Sequence, residues 1–445
     1  MILIAALFVS VAFIVLSTAR WRWHPFLALL AAAFGFALLA RMPLDKVADA
    51  VNTGFGETVG KIGIVIIAGT IIGEFLERSG GAFAVAERIL TLTGRQRVPL
   101  AMTLIGYVIS IPVFCDSGFV IISPLNRALS KRAGITLAAS AIALGLGLYT
   151  THTMVPPTPG PIAAAGILNA DIGLVMLFGL LVAAVALVPS VLFATRIASR
   201  VQIDPAPELS DDALSERLAQ APSAALSLLP IAIPLILILG KSIADLPSQP
   251  AGSNSSVVLL RFLGHPVVAL LCGVILAVFL PRQRARDVLS TTGWAGQAVI
   301  KAAPIIIITG AGGAFGKVLQ SSELSTVVND TLGNLHLGIW MPIIIAAALK
   351  TAQGSSTVAI ITTASMMAPL MEGLGYDSTW ARALVVVAIG AGSMIVSHAN
   401  DSYFWVVTQF SSMDVKTGYK LHTGGSVVAG LAAALALWLL SVCLI

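Results

Sequence analysis

The chain has 445 residues, of which 57% are hydrophobic and only 11% are charged, and its formal net charge is +5. A soluble domain carries about a quarter charged residues, so this composition excludes a water-exposed globule. The positive charge does not indicate a nucleic-acid partner, because Lys and Arg lie in short loops between apolar runs, where they orient membrane spans.

Apolar stretches of about 17 to 25 residues recur along the chain, and each is long enough to cross a bilayer as a helix. Forty glycines and 22 prolines favour broken, closely packed helices over a barrel, whose strands would show short alternating segments. Cys115, Cys272 and Cys443 show no metal or redox spacing, and most of them are expected to be small core residues. The expected fold class is an all-α polytopic membrane protein.

The first half, residues 1–200, is predicted to hold four spans, a re-entrant hairpin and a broken helix. The spans are at about 2–19, 25–41, 61–76 and 172–195, the hairpin at about 99–130 and the broken helix at about 135–170. A weakly amphipathic outer segment, Pro43 to Gly60, precedes the third span. The first span has no basic residue before it and is followed by Arg20 and Arg22, so its N-terminus is expected outside, without a cleavable signal.

Basic residues mark the cytoplasmic side of this half. They are Arg78, Arg88, Arg95, Arg97, Arg127, Lys131, Arg132, Arg196 and Arg200. The hydrophilic residues 201–222 are predicted to be a cytoplasmic linker to the second half, residues 223–445.

The second half is predicted to repeat this plan in the opposite orientation. Its spans are at about 224–240, 265–281 and 297–318, its hairpin is at about 339–371 and its broken helix at about 380–408. The basic run Arg282 to Arg286 is expected inside, whereas the loop from Gln320 to His336 holds no Lys or Arg.

Local similarity also relates the halves. Ala68 to Leu76 pairs with Ala311 to Leu319, and the same offset of 243 pairs Pro99 with Pro342. Together with the loop charges, this similarity predicts two inverted-topology repeats with discontinuous helices, a plan in which substrate binds near the midplane. The protein is expected in the bacterial inner membrane, with both termini in the periplasm.

Four polar stretches interrupt the apolar sequence, two in each half: Pro112 to Gly118, Thr150 to Pro161, Lys350 to Thr357 and Ser397 to Tyr403. Backbone that leaves the helix inside a bilayer must be satisfied by protein or trapped water, and freed helix N-termini present donors to an anion. Hydroxyl and amide side chains there are candidates to bind a carboxylate. The candidate substrate-binding residues are Ser117, Gly118, Thr151, Thr153, Thr158, Gln353, Gly354, Ser355, Ser356, Thr357 and Asn400.

Ionisable side chains inside a bilayer cost about 2.5–3.5 kcal/mol each, so those in the polar stretches are candidates for proton coupling. They are Asp116, His152, His398 and Asp401. Three alternatives stay open: either histidine could pack across helices, Asp401 could cap a half-helix, and Lys350 could reach water at the outer interface. Glu74 and Lys317 are expected to be solvated near span ends.

The four polar stretches resemble the signature stretches of the gluconate permease (gluconate:proton symporter) family, and the likeness runs from about residue 20 to the C-terminus. The motifs include Pro112-Val113-Phe114-Cys115-Asp116-Ser117-Gly118 and Ser397-His398-Ala399-Asn400-Asp401-Ser402. The resemblance implies proton-driven uptake of gluconate or a related acid, and the fold of inverted-repeat ion transporters. A scaffold would hold still while the hairpins and broken helices move. The family also includes carriers for D-serine and other small hydroxy acids, so the substrate stays open.

An intramembrane enzyme, a channel and an ATP-driven pump are the rival classes. The sequence holds no H-E-x-x-H, G-x-S-x-G or G-x-x-x-x-G-K-[ST] motif, and no ring of like charge. The prediction is therefore a secondary transporter and not an enzyme. The family resemblance implies that the proton gradient drives it, and no cofactor or metal is expected. Its expected partners are a small anionic substrate and membrane lipid, with no nucleic acid and with a homodimer left open.

Overall fold

The computed structural model of the chain describes residues 2–94, 97–206, 219–245, 254–281, 287–322 and 337–444. Every regular element in these ranges is a helix, which confirms the predicted all-α class. Five of the described helices are long and apolar enough to cross a membrane. The helices Ser255–Leu263 and Pro266–Val278, which meet at a bend of 70°, would together make a sixth crossing. Arg95, residues 207–218 of the predicted linker, Arg282 to Arg286 and residues 323–336 lie outside the described ranges.

The first half begins with two apolar helices and continues with a helix of 35 residues. Its helices are α1 (Ile2–Ala19), α2 (Pro25–Leu39), α3 (Leu44–Arg78), α4 (Gly81–Thr93), α5 (Val98–Ile109), α6 (Cys115–Ala133), α7 (Leu137–Met154), α8 (Pro159–Leu168) and α9 (Ile172–Arg196). The predicted separation of Pro43 to Gly60 from the third span is wrong. One buried stripe continues from Val47 through Gly54 and Thr58 to Ile62, so both segments pack as a single helix.

The second half contains the bent pair, a second long helix and two further broken helices. Its helices are α10 (Ala224–Ala244), α11 (Ser255–Leu263), α12 (Pro266–Val278), α13 (Trp294–Gln320), α14 (Trp340–Gln353), α15 (Ser356–Met367), α16 (Thr379–Met394), α17 (Ser402–Phe410), α18 (Val415–Gly418) and α19 (Gly424–Leu444). A π-helical turn, Tyr419–Thr423, joins the last two.

All four polar stretches interrupt a helix. The interruptions lie at residues 110–114, 155–158, 354–355 and 395–401. The two breaks of the first half pack against α3. A Cβ atom at Gly73 would collide with the carbonyl oxygen of Pro112, so only glycine lets the first break come this close to the helix.

The helices of the two halves begin at a nearly constant spacing of 242 or 243 residues. The starting residues of α5, α7, α8 and α9 are 98, 137, 159 and 172, and an offset of 243 takes them to 341, 380, 402 and 415. Helices α14, α16, α17 and α18 begin at Trp340, Thr379, Ser402 and Val415. Helix α8 packs on α15, and the equivalent pair, α17 and α6, also packs together. The element order is thus duplicated, while the inverted orientation of the halves stays a prediction.

Helices α3 and α13 pack along each other and are linked by an ion pair of Glu74. Its carboxylate accepts hydrogen bonds from Arg78 Nε at 2.5 Å and from Lys301 Nζ at 2.6 Å, and the residue is 3% exposed. The expectation that Glu74 is solvated is wrong, because Lys301 of α13 supplies a second charge partner. Lys317 is partly solvated, as expected, and lies 3.8 Å from Glu57.

Arg127 ties the end of α6 to two other segments. Its guanidinium donates to the carbonyl oxygens of Pro205 and Phe410, at 2.8 and 2.7 Å, and to Ser412 Oγ at 3.1 Å. The hairpin α5–α6 and the end of α17 are therefore held together through a buried cation.

The expectation that most cysteines are core residues is wrong. Cys115 is buried, Cys272 is half-buried and Cys443 is exposed. The last two lie in α12 and α19.

Candidate substrate site

A buried ion pair joins the two helix breaks of the second half. Lys350, in the last turn of α14, places its Nζ 2.6 Å from Oδ2 of Asp401, the residue before α17. The two side chains are 0% and 6% exposed. The Lys350 ammonium also donates to the Gly354 carbonyl at 2.9 Å. The alternative in which Lys350 reaches water is wrong, because its charge is matched inside the protein.

Several donors converge on Asp401. Its Oδ2 accepts hydrogen bonds from Ser397 Oγ at 2.5 Å and from the Tyr149 hydroxyl at 3.3 Å, in addition to Lys350. Its Oδ1 accepts from the Tyr403 backbone N–H at 3.1 Å. Asp401 therefore caps the half-helix α17, as one alternative foresaw, and also binds the buried ammonium.

A second layer of hydrogen bonds extends this network across the helices. The hydroxyls of Tyr149 and Ser356 lie 2.7 Å apart, and Ser397 Oγ lies 3.0 Å from His422 Nε2. Since the single hydroxyl proton of Ser397 is donated to Asp401, His422 carries its own proton on Nε2 and donates to Ser397. The network thus connects α7, α15, the break at 395–401 and the π-helical turn.

Unpaired polar atoms lie beside the ion pair. Asp116 is in the first turn of α6, His152 is in the last turn of α7, and both are within electrostatic range of Asp401. In the part of the chain that the structure describes, Asp116 Oδ1, His152 Nδ1 and both amide atoms of Gln353 are buried without a hydrogen-bond partner. Such atoms are rare in folded proteins, and they mark a place where a polar ligand would supply the partners.

His398 and Asn400 serve a different contact. His398 Nε2 lies 2.9 Å from the carbonyl oxygen of Thr351, and the Asn400 amide donates to the same oxygen at 2.8 Å. The His398 ring stacks on Tyr419 with 6.3 Å between centroids. These side chains hold the break at 395–401 against the end of α14 and are not brought to the ion pair.

The remaining predicted residues have mainly local partners. Thr151, Thr153 and Thr158 donate to the carbonyl oxygens of Gly147, Tyr149 and Val155. Ser355 caps α15 by accepting from the Val358 N–H at 3.3 Å. Ser117, Gly118 and Thr357 lie in the first turns of α6 and α15.

Sequence reasoning missed four members of the network: Lys350, Tyr149, Ser397 and His422. A lysine within the apolar run before Gly354 is a usable signal, because an unpaired charge there would be expensive. Ser397 belongs to a polar stretch that was singled out, but nothing in the local sequence separates it from its neighbours. Tyr149 and His422 become recognisable only once the fold places them against Asp401.

A cavity of about 1040 Å³ lies beside α3 and α6, and its lining does not include the residues of the ion-pair network. Its walls come from the end of α3, from α6, from residues 220–221 and from the end of α17, and they include Arg78, Val120 and Phe410. Val120 follows Asp116 by one helical turn, so the cavity begins close to the first break. Among the described residues, no group of three or more His, Cys, Asp or Glu side chains is placed to hold a metal ion.

The chain is similar to known transporters over almost its whole length. Gluconate permease of Pseudomonas aeruginosa is 33% identical over 447 residues, covering 100% of this chain and 98% of that protein. The D-serine transporter DsdX of Escherichia coli K12 is also 33% identical, covering 98% of each. The high-affinity gluconate transporter of the same bacterium is 32% identical, covering 92% of each.

The fold is similar to that of the Alcanivorax borkumensis YdaH transporter, whose crystal structure is described as having an unusual topology. The TM-score is 0.67 at 14% sequence identity, covering 94% of this chain and 98% of that one, so the likeness concerns the fold alone. Residues 1–443 match the family model described as GntP family permease. The protein is therefore a multi-pass membrane transporter rather than an enzyme, and the chain belongs to the GntP permease family.

Proposed function

We propose that this permease is a secondary active transporter that takes up gluconate, or a related small sugar acid or hydroxy acid, together with protons. The observation that carries the proposal is the buried Lys350–Asp401 pair, which lies where two helix breaks meet and beside polar atoms that lack partners. An ammonium at this depth is costly unless it is paired, and it is the natural partner of a carboxylate.

The arrangement of the breaks supports alternating access. We place the two halves in opposite orientations in the inner membrane, with both termini in the periplasm, and we take the hairpins and broken helices as the moving parts. The cavity beside Arg78 lies on the predicted cytoplasmic side, and its α6 wall begins one turn after Asp116. This placement fits a state that opens inward.

Proton coupling follows from the charges near the site. A substrate anion adds negative charge to an interior in which Lys350 and Asp401 already balance, and a proton restores the balance. Asp116, His152 and Asp401 lie close enough together to take that proton. His398 is the weakest of the predicted candidates, because it binds a backbone carbonyl elsewhere.

D-serine is the second candidate substrate. The D-serine transporter DsdX is as similar to this chain as the gluconate permease is, at 33% identity for both. Both substrates carry a carboxylate and a hydroxyl group, so the Lys350 site alone does not separate them.

The test is uptake of labelled gluconate into proteoliposomes in sodium-free buffer. We expect an inward proton gradient to drive accumulation above equilibrium, and a protonophore to abolish it. Accumulation that follows only a sodium gradient would contradict proton coupling. Competition by unlabelled gluconate, other aldonates, D-serine, glycerate and 3-hydroxybutyrate then ranks the substrates, and stronger competition by D-serine would favour the second candidate.

A further inference from the structure

We propose that the substrate carboxylate binds the ammonium of Lys350 in place of Asp401, and that Asp401 takes up the cotransported proton as it is displaced. This inference rests on the proposed function and assigns two residues to it. In the empty protein, Asp401 would occupy the position that the substrate carboxylate later takes.

The contacts of Lys350 leave one of its donors for a second anion. Its ammonium has three N–H donors, and two of them bind Asp401 and the Gly354 carbonyl. The third has no partner among the described residues. Gln353 lies three residues further along the chain, and its amide donors and acceptor are buried and unpaired. A ligand carboxylate on Lys350 would thus bring a neighbouring hydroxyl group within reach of polar atoms that need partners.

The side chains around Asp401 supply three hydrogen-bond donors to one carboxylate oxygen. Lys350, Ser397 and Tyr149 all direct donors to Oδ2. Both hydroxyls can rotate, so they can accept a hydrogen bond from a protonated Asp401 after the ammonium has turned to another anion. The exchange therefore requires hydroxyl rotation and a change of partner, and no new charged group.

Charge balance decides when the exchange can occur. The Lys350–Asp401 pair is neutral, and both side chains are almost fully buried. A substrate carboxylate beside an ionised Asp401 would leave one uncompensated negative charge in the interior, which is strongly unfavourable. A proton from solvent that binds the Asp401 carboxylate removes this excess. The same proton leaves when the substrate departs and Asp401 returns to Lys350, so one proton moves with each carboxylate.

Other titratable groups surround Asp401. They are Cys115 and Asp116 of α6, Tyr149 and His152 of α7, Lys350 of α14, Tyr403 of α17 and His422 of the π-helical turn. Asp401 is assigned the proton because it is the carboxylate that the described structure places in contact with the Lys350 ammonium.

The test is equilibrium binding of labelled gluconate to the purified full chain between pH 5.5 and 8.5. We expect wild-type affinity to fall as the pH rises, by up to roughly tenfold per pH unit, because binding of the substrate takes up one proton. Asp401→Asn imitates the protonated carboxyl, so it should bind gluconate with little pH dependence, and at pH 8.5 more tightly than wild type.

Lys350→Gln should weaken binding by roughly 100-fold at every pH, because a buried charge partner is lost. Each single variant leaves the other member of the pair as an unpaired buried charge and could fail to fold, so the double variant Lys350→Gln/Asp401→Asn, which buries no unpaired charge, provides the decisive comparison. The double variant should fold, and it should bind gluconate as weakly as Lys350→Gln does. Lys46→Gln, at an exposed lysine, is the control and should bind like wild type.

Two results would overturn the inference alone. One is a double variant that binds as tightly as Asp401→Asn, which would remove Lys350 from the carboxylate site. The other is an Asp401→Asn variant that keeps the wild-type pH dependence, which would place the proton elsewhere. If the wild-type chain binds neither gluconate nor D-serine, the proposed function fails and this inference fails with it.

Discussion

Glu74 and Asp401 are both buried against cations, but the cations of the two ion pairs differ in exposure. The side chains of Asp401 and Lys350 are 6% and 0% exposed. Glu74 is paired with Arg78 and Lys301, whose side chains are 42% and 40% exposed. A cation that stays in contact with water keeps part of its hydration, so losing its partner costs less than in a dry interior. The contacts of Glu74 with Arg78 and Lys301 are therefore suited to holding α3 and α13 together. The Lys350–Asp401 pair is suited to a site that responds to a second charge.

Replacing Glu74 with Gln tests the fastening of α3 to α13. We expect the variant to lose about 1–2 kcal/mol of stability, less than the loss for a fully buried pair, because both cations can be rehydrated. Thermal unfolding in detergent should show a midpoint lower by a few °C. Glu57→Gln is the matched control, since Glu57 is 54% exposed and 3.8 Å from Lys317, and its midpoint should not change. Equal midpoints for both variants would contradict a structural role for Glu74.

At the scale of elements, the two breaks of the second half form one unit. Gly354 adopts a φ of +85°, and its Cα faces the backbone of Asn400 so closely that a Cβ atom would collide with the Asn400 carbonyl group. Asn400 and His398 in turn bind the carbonyl oxygen of Thr351 at the end of α14. The hairpin α14–α15 and the broken helix α16–α17 are thus joined at the same place as the ion pair, so they are expected to move together.

Gly354→Ala tests this contact. A left-handed residue other than glycine costs roughly 1–2 kcal/mol, and the collision with Asn400 adds to that cost. We expect gluconate uptake to be abolished. The unfolding midpoint should fall further than it would for a left-handed alanine that meets no neighbouring atom. Gly375→Ala is the matched control, because Gly375 has a φ of +77° and open space around the position of a Cβ atom. If the two variants transport gluconate equally well, the breaks do not depend on this approach.

For the whole molecule, the sequence predicted the positions of the helix breaks better than the contacts between them. Polar residues and prolines inside apolar runs are local signals, and each of the four predicted stretches interrupts a helix. The partner of a buried charge is not a local signal. Asp401 lies 51 residues from Lys350, and Lys301 lies 227 residues from Glu74. The sequence alone therefore predicted a solvated Glu74 and left a solvated Lys350 open as an alternative.

The relative orientation of the two halves is the remaining property of the whole molecule. Helix starts recur at an offset of 242 or 243 residues, which establishes the order of the elements but not which side of the membrane each loop faces. The loop charges predict that the end of the first hairpin is cytoplasmic and that the end of the second is periplasmic. Lys131 is exposed at the first end, and Glu372 is exposed near the equivalent position 374.

Single cysteines at these two positions test the inversion. In a background of Cys272→Ser and Cys443→Ser, with Cys115 buried, we expect Glu372→Cys to react with a membrane-impermeant maleimide in intact cells. Lys131→Cys should react only after the inner membrane is permeabilised. Labelling of both cysteines from the same side would contradict the inverted repeat. It would also remove the reason for placing the two sets of breaks at a common depth, because halves in parallel orientation would bring their hairpins in from the same face.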